Sequence, residues 1–321
     1  MKKLVSTLSC VALFASSSLF GQVTTDPVGY VTIDVPAGTS LISLPLQKSK
    51  VFEGAVTGVT TFTDPEDGVD GTTISANFSD LGSAFSYVQV VESTGALGAI
   101  ASITSTGSGT IDVKPTIPNL EEGDRIAVRP HMTLADIKGN PEFTDGTSLV
   151  VFTSNGTRES FTYFSAESLS LPEGLWADDD FEDASNVAVL PSEGFVMDSG
   201  SASAIIISGA VSTDPLKYPF GGTFSLTGTL SPSDSVTLKE AFGDLPIGST
   251  ISLRSSDGTL STLATYDIFD SSDLGLGEGK TFVRDAEFLG DDDLIESGVA
   301  VVIAPPQSTD GVVLPAAYTS N

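Results

Sequence analysis

Apolar and polar residues alternate in short runs along most of this chain, and Gly, Pro, Asn or Asp closes each run. Examples are YVTIDV (Tyr30 to Val35), SYVQVV (Ser86 to Val91), TIDVKP (Thr110 to Pro115), RIAVRP (Arg125 to Pro130), SLVVFTS (Ser148 to Ser154), ESFTYFS (Glu159 to Ser165), AIIISGAV (Ala204 to Val211), TFSLTGTL (Thr223 to Leu230) and STISLRS (Ser249 to Ser255). A period of two sends alternate side chains to opposite faces of an extended strand, and closely spaced breakers leave no room for long helices. The expected fold class is therefore all-β, with antiparallel sandwich or barrel-like modules. Two stretches depart from the pattern, TLADIKG (Thr133 to Gly139) and TLKEAFG (Thr237 to Gly243). Each starts at a Thr and ends at a Gly able to take a left-handed cap, so one short helix per module is expected.

These two stretches are also the first sign of a repeat. Leu134 precedes Leu238 by 104 positions, Asn155-Gly156-Thr157 precedes Asp257-Gly258-Thr259 by 102, Tyr163 precedes Tyr266 by 103, and Gly194 precedes Gly298 by 104. Near-constant spacing of four features implies two copies of a β module, at 120–215 and 216–321. Residues 22–119 form an N-terminal β domain in this scheme. Asn-Gly and Asp-Gly suit two-residue hairpin turns, because both central positions of such turns need positive φ.

The chain opens MKKLVSTLSCVALFASSSLFGQV, with two lysines, an apolar run from Leu4 to Phe14 and then small residues. That order describes an export leader spanning 1–21, cleaved after Gly21 or, as alternatives, after Ala15 or Ser18. The run is too short for a membrane span. Cys10 lies inside the apolar run and would leave with the leader, so the mature chain would hold no cysteine and no disulfide. Loss of Lys2 and Lys3 takes the formal charge from −28 to −30. A surface this acidic repels phosphates, which argues against nucleic acid and anionic lipid as partners. Hydrophobic residues make up 40%, including 18 Phe, which suffices for packed cores and excludes a disordered polyanion.

Candidate chemistry is sparse. His131 is the only histidine and no nucleophile signature accompanies it, so the expected role is structural rather than catalytic. Three acidic loops offer hard oxygen ligands. DPEDGVDG carries Asp64, Asp67 and Asp70; DDDFED carries Asp178, Asp180 and Asp183; a third cluster carries Asp291 and Asp293. Oxygen-rich loops suit calcium, although none has EF-hand spacing, and a solvated acidic face is the alternative. The last two clusters are expected in corresponding loops of the two copies. Trp176 and Tyr163, with Tyr266, are candidates for stacking on a polysaccharide.

Several segments resemble a family of uncharacterised exported β-rich proteins of planctomycete and verrucomicrobial bacteria. They are TTDPVGYVTI (Thr24 to Ile33), SYVQVVESTGALGAIASITS (Ser86 to Ser105), GDRIAVRPHMTL (Gly123 to Leu134) and LPSEGFVM (Leu190 to Met197). The most specific elements are T-D-P-V-G-Y at the mature start and R-P-H-x-T-L. The resemblance implies an exported β protein and brings no catalytic residue with it. Members often carry a Trp after the hairpin, matched by Trp176, where the second copy has Phe282; a place that takes either ring reads as a core plug.

Together these features lead to the expectation of a non-enzymatic secreted or cell-surface structural or adhesive protein, with calcium as a candidate stiffener. It would meet matrix components or copies of itself through sheet edges and would not span a membrane. A polysaccharide-binding protein is the alternative, and a secreted hydrolase ranks third.

Overall fold

The computed structural model describes residues 26–78, 81, 86–152, 158–170, 173–220, 224–306 and 309–317. The expected leader and the Asn155-Gly156 turn lie outside them. The fold is all-β, in several antiparallel sheets with a closed six-stranded barrel, and the α-helices Ala166–Leu169 and Leu238–Phe242 are its only ones among the described residues. No helix there is long and apolar enough to cross a membrane.

Three cores organise the chain. The barrel closes in the order Phe52–Thr63, Asp70–Ala76, Thr110–Lys114, Ile100–Gly107, Ser86–Glu92, Arg125–Pro130 and back to Phe52–Thr63. Alternate residues of these strands point inward, so Ile74, Val88, Val90, Ile111, Val113, Ile126 and Val128 fill its interior. In the N-proximal unit, a five-stranded sheet runs Leu175–Ala177, Arg158–Phe164, Ser148–Phe152, Gly194–Ser199, Gly38–Ser43. It packs on a three-stranded sheet of Val28–Val35, Ser203–Val211 and Leu46–Gln47, and Leu149, Phe161, Trp176, Phe195 and Met197 meet Val31, Ile33, Ile205 and Ile207 in one core. The C-proximal unit repeats that order with Lys280–Arg284, Thr262–Asp270, Thr250–Arg254, Val301–Ala304 and Ser225–Thr227, adding Phe288–Leu289 at one edge. Leu216–Phe220 and Thr309–Leu314 pair as its second sheet.

The cores divide the chain differently from the linear boundaries expected. Residues 22–119 are not one domain: Val28–Val35, Gly38–Ser43 and Leu46–Gln47 complete the N-proximal unit, and the barrel runs on to Pro130. Strand pairing overrides sequence order here, because Val31, Ile33 and Val35 pair with Ser203–Val211 and bury their side chains in the core of that unit. The barrel is thus an insertion between the early strands of the N-proximal unit and its remainder.

Hydrogen bonds relate the two units residue by residue. Gly146 N donates to Tyr163 O and Tyr163 N to Thr147 O; Gly248 N donates to Ile268 O and Ile268 N to Ser249 O. Tyr163 therefore matches Ile268, not Tyr266. Glu193 N donates to Leu190 O, and Val299 N to Glu296 O, so Gly298 matches Ser192, which also has positive φ, rather than Gly194. Leu134 and Leu238 do occupy equal places, bonding to Val187 O and Asp293 O. The units also exchange contacts in reciprocal fashion. Ser43 N donates to Gly298 O while Gly228 N donates to Ser192 O, each at 2.9 Å, and isolated bridges join Ile42 to Val299 and Glu193 to Thr227. An exchange of this kind marks an approximate two-fold axis, along which Leu41, Leu226 and Ala300 form a small shared core.

Local expectations fail at two places. The two helix-ending glycines have negative φ, and Leu134–Asp136 is a 3-10 turn. A Cβ on Gly139 would crowd Phe143, Ser203 and Pro141, and one on Gly243 would strike Lys239 O, so close approach explains both glycines. Asp257-Gly258 is not a two-residue hairpin: residues 255–261 form the loop, and only Gly258 of the pair has positive φ. That loop docks on the N-proximal unit, where Thr39 N donates to Gly258 O at 2.8 Å. A side chain on Gly258 would overlap the Ala37 carbonyl oxygen. Gly258→Ala is expected to lower stability by about 1–3 kcal/mol in urea unfolding. Gly68→Ala, also at positive φ but in open space, isolates the backbone cost; equal losses at both sites would show that the docking contact contributes nothing.

Candidate functional site

Trp176 and Tyr163 are paired across neighbouring strands, and both are core residues, 1% and 5% exposed. The Trp176 ring sits 5.2 Å from Tyr163 and 5.8 Å from Phe143, and its Nε1 donates to Ile137 O at 3.1 Å. Tyr163 Oη donates to Glu142 at 2.9 Å, and burial, aided by that carboxylate, holds its hydroxyl protonated well above the usual range. Phe282 fills the place matching Trp176 and is fully buried, and Tyr266 is 2% exposed. None of these rings offers a face for stacking on a sugar; they terminate the sandwich core, as large apolar rings do best.

The acidic loops are occupied by the protein's own donors. Lys114 Nζ bridges Asp64 at 2.5 Å and Asp67 at 2.7 Å, and those bonds depress both carboxyl pKa values. Asp70 accepts from Thr63. Asp178 Oδ1 accepts the backbone N–H of Asp180 and of Glu182, Asp183 accepts from Ser185 N, and Asp180 is exposed. Asp291 pairs with Lys239 and accepts from Phe282 N, while Asp293 accepts from Tyr266 Oη and Arg284. Among the described residues no three carboxylate, His or Cys side chains converge as a metal would require. The second and third clusters are also not equivalent, since Ser185 and Val187 stand where the C-proximal unit has Asp291 and Asp293.

His131 is 6% exposed, 5.2 Å from the Tyr87 ring, and burial drives its pKa down to about 4, so it is neutral at pH 7. Its Nδ1 has no hydrogen-bond partner among the described residues.

The densest chemistry lies where the barrel meets both units, and only the neighbouring residues of the sequence pointed there. Arg129, at the end of the barrel strand Arg125–Pro130, is fully buried. Its Nη1 bonds Asp26 at 2.7 Å and Lys48 O at 3.0 Å, its Nη2 bonds Asp214 at 3.3 Å, and its Nε donates to Gln89 at 3.2 Å. Gln89 donates in turn to Pro215 O. Lys50 adds bonds to Asp214 at 3.0 Å and Glu53 at 2.9 Å, and Arg125 closes on Glu53 at 2.8 Å. Three cations thus face three carboxylates, which is the condition under which buried charge is tolerated. Asp26 and Asp214 belong to matching tripeptides, Thr25-Asp26-Pro27 and Thr213-Asp214-Pro215, each leading into the first strand of its unit. That recurrence was visible in the sequence, and it locates the junction better than the four spacings do.

A second buried ionisable group lies between the units. Glu193 is 6% exposed, its Oε2 accepts from Leu190 N at 2.9 Å, and burial raises its pKa to about 7. Tyr218 shares this region, its hydroxyl kept protonated by burial and by the nearby Glu193 charge. Comparison with family models, with curated proteins and with solved structures returned no match.

Replacing Arg129 by Met takes the nearer cation from Asp26, whose side chain is 4% exposed, and leaves it Lys50 Nζ at 3.5 Å. The expected cost is about 3–5 kcal/mol in urea unfolding, most of it recovered when Asp26→Asn and Asp214→Asn are added; a triple variant no better than the single one would refute a charge-balance role. Glu193 holds its proton more tightly folded than unfolded, since about 7 exceeds its ordinary 4.5. Its contribution to stability is therefore full below the lower value and is lost as pH rises through the higher one. Relative to Glu193→Gln, the wild type is expected to lose about 2–3 kcal/mol between about pH 4 and pH 8. Parallel pH profiles for the two proteins would contradict this.

Proposed function

We propose that this chain is an exported structural protein, a component of the cell surface or extracellular matrix that works by presenting surface rather than by catalysis. The observation that carries the reading is the Arg129 junction, where the barrel strand, the first residues of the N-proximal unit and the linker to the C-proximal unit share one charge cluster. With the reciprocal strand contacts between the units, it supports a single stiff body in which no part is hinged for a reaction cycle. The equal pairing order of the two units supports their origin as a tandem duplication, the barrel having entered the first copy. The leader-like first 21 residues and a mature chain free of cysteine support export. Stiffness on this reading comes from ion pairs between protein groups, so calcium is not needed for it. The rings considered for polysaccharide are core residues, and no observation favours that second reading.

Fractionation of the source cells, with mass spectrometry of the mature N-terminus and limited proteolysis of the purified protein, tests the proposal. The expected result is a processed chain in the envelope or matrix that resists protease as one body, with the same melting temperature before and after chelation. A cytosolic chain with its first residues intact would overturn the proposal, as would turnover of a polysaccharide or peptide substrate.

A further inference from the structure

The C-proximal unit contains a cavity of about 460 Å³ lined by Thr229, Ser233, Val236, Glu240, Ala241 and Leu314 among others. Its origin is explained by the N-proximal unit. There the residues after Gly38–Ser43 form the short strand Leu46–Gln47, which pairs with Ala210 and Val211 before the chain enters the barrel. The reciprocal bonds of Ser43 and Gly228 set these two residues at equal places. Counting onward, Gln47 falls on Pro232 and Lys48 on Ser233. Pro232 brings no backbone N–H where Gln47 has one, and among the described residues Thr309–Leu314 pairs with Leu216–Phe220 in a sheet of two strands, with no third strand in the place of Leu46–Gln47. The C-proximal unit has no barrel either, and an open cavity stands in this place.

The exposed Glu240 in the lining of the cavity keeps one half of an ion pair. In the N-proximal unit, Asp136 uses Oδ2 to accept from Thr133 N at 2.9 Å and Oδ1 to accept Lys48 Nζ at 2.6 Å. Glu240 is the matching residue, three positions after Thr237. Its Oε2 accepts from Thr237 N and Oγ1, both at 2.9 Å, and it pairs with no basic side chain among the described residues. The cavity thus presents a carboxylate where the other unit has a bound ammonium, and a serine where that lysine would start. Leu230, Val236, Ala241 and Leu314 supply apolar wall for an alkyl stem.

We propose that this cavity binds a protonated primary amine carried on an apolar stem, as Asp136 binds the Lys48 side chain. Hydrogen bonds from Thr237 depress the Glu240 pKa, so the carboxylate is charged at neutral pH. The site is independent of the structural reading above, since it needs neither export nor stiffness.

The test is NMR titration of the full mature chain with three probes: Nα-acetyl-lysine methylamide, its neutral counterpart Nα-acetyl-norleucine methylamide, and n-butylamine. Saturable shifts at Ser233, Ser235 and Ala241 are expected with the lysine probe, with Kd on the order of 1 mM for a solvent-open ion pair, and not with the norleucine probe. Glu240→Gln keeps the helix cap and is expected to weaken binding at least about fivefold. Ser233→Lys is expected to abolish it by placing the protein's own ammonium on Glu240. Tighter binding of the lysine probe than of butylamine would assign the ligand as a lysine side chain of a partner chain; equal binding would assign a free amine. Absence of saturable shifts, equal binding of the norleucine probe, or binding unchanged in Glu240→Gln would each overturn the proposal, and the norleucine comparison decides it on the wild type alone should a variant misfold.

Discussion

A guanidinium with no exposure to water must be matched by carboxylates that come to it, and the architecture follows from where those carboxylates reside. Arg129 belongs to the barrel, Asp26 to the first residues of the N-proximal unit, and Asp214 to the linker that begins the C-proximal unit. Loss of either carboxylate leaves the buried guanidinium with half its charge balance, so the three cores are held together by a cost larger than that of a surface ion pair. The bonds from Gln89 to Pro215 O and from Arg129 to Lys48 O use two further donors, so the cluster also fixes the backbone at the crossing points of all three parts.

Around that knot, two units of one strand order face each other across an approximate two-fold axis. The exchange of Ser43–Gly298 and Gly228–Ser192 bonds shows that each unit offers the same edge to its neighbour, as in an isologous dimer. The units then diverge where the barrel entered. In one, Lys48 and the Leu46–Gln47 strand fill the gap; in the other, serines and prolines leave it open. A single chain thereby displays one site in a filled and an unfilled state, with the aliphatic stem and ammonium of Lys48 as the shape of the missing part.

Much of the strand content was legible, because alternation at RIAVRP, ESFTYF and AIIISGAV is a local property that any core-facing strand must have. Helix starts at Thr133 and Thr237 were legible for the same reason, since capping residues act on their own first turn. The residue correspondence was misread by two positions at Tyr163 and by two at Gly194, because a shift of two preserves the side-chain face and leaves the periodic signal unchanged. Glycine was misread at Gly139 and Gly243, where close neighbours, Phe143, Pro141 and Ser203 at the first and the Lys239 carbonyl at the second, and not a left-handed φ, exclude a side chain. The acidic loops looked like ligand sets because the sequence shows the carboxylates and not that Lys114, Lys239 and Arg284, from a barrel strand, a helix and a neighbouring strand, fold onto them.

Composition and near neighbours were enough to set the all-β class, to rule out a disulfide within a chain of one cysteine, and to mark the turn after Thr133 and the helix after Thr237, although not the helix Ala166–Leu169. Long-range packing was needed to pair Val28–Val35 with Ser203–Val211, to make the barrel an insertion, and to bring Asp26, Arg129 and Asp214 together. Those outcomes depend on which apolar faces and charges find partners at long range. Burial makes such pairings decisive, because an unmatched charge or an exposed face costs more than any local preference can recover.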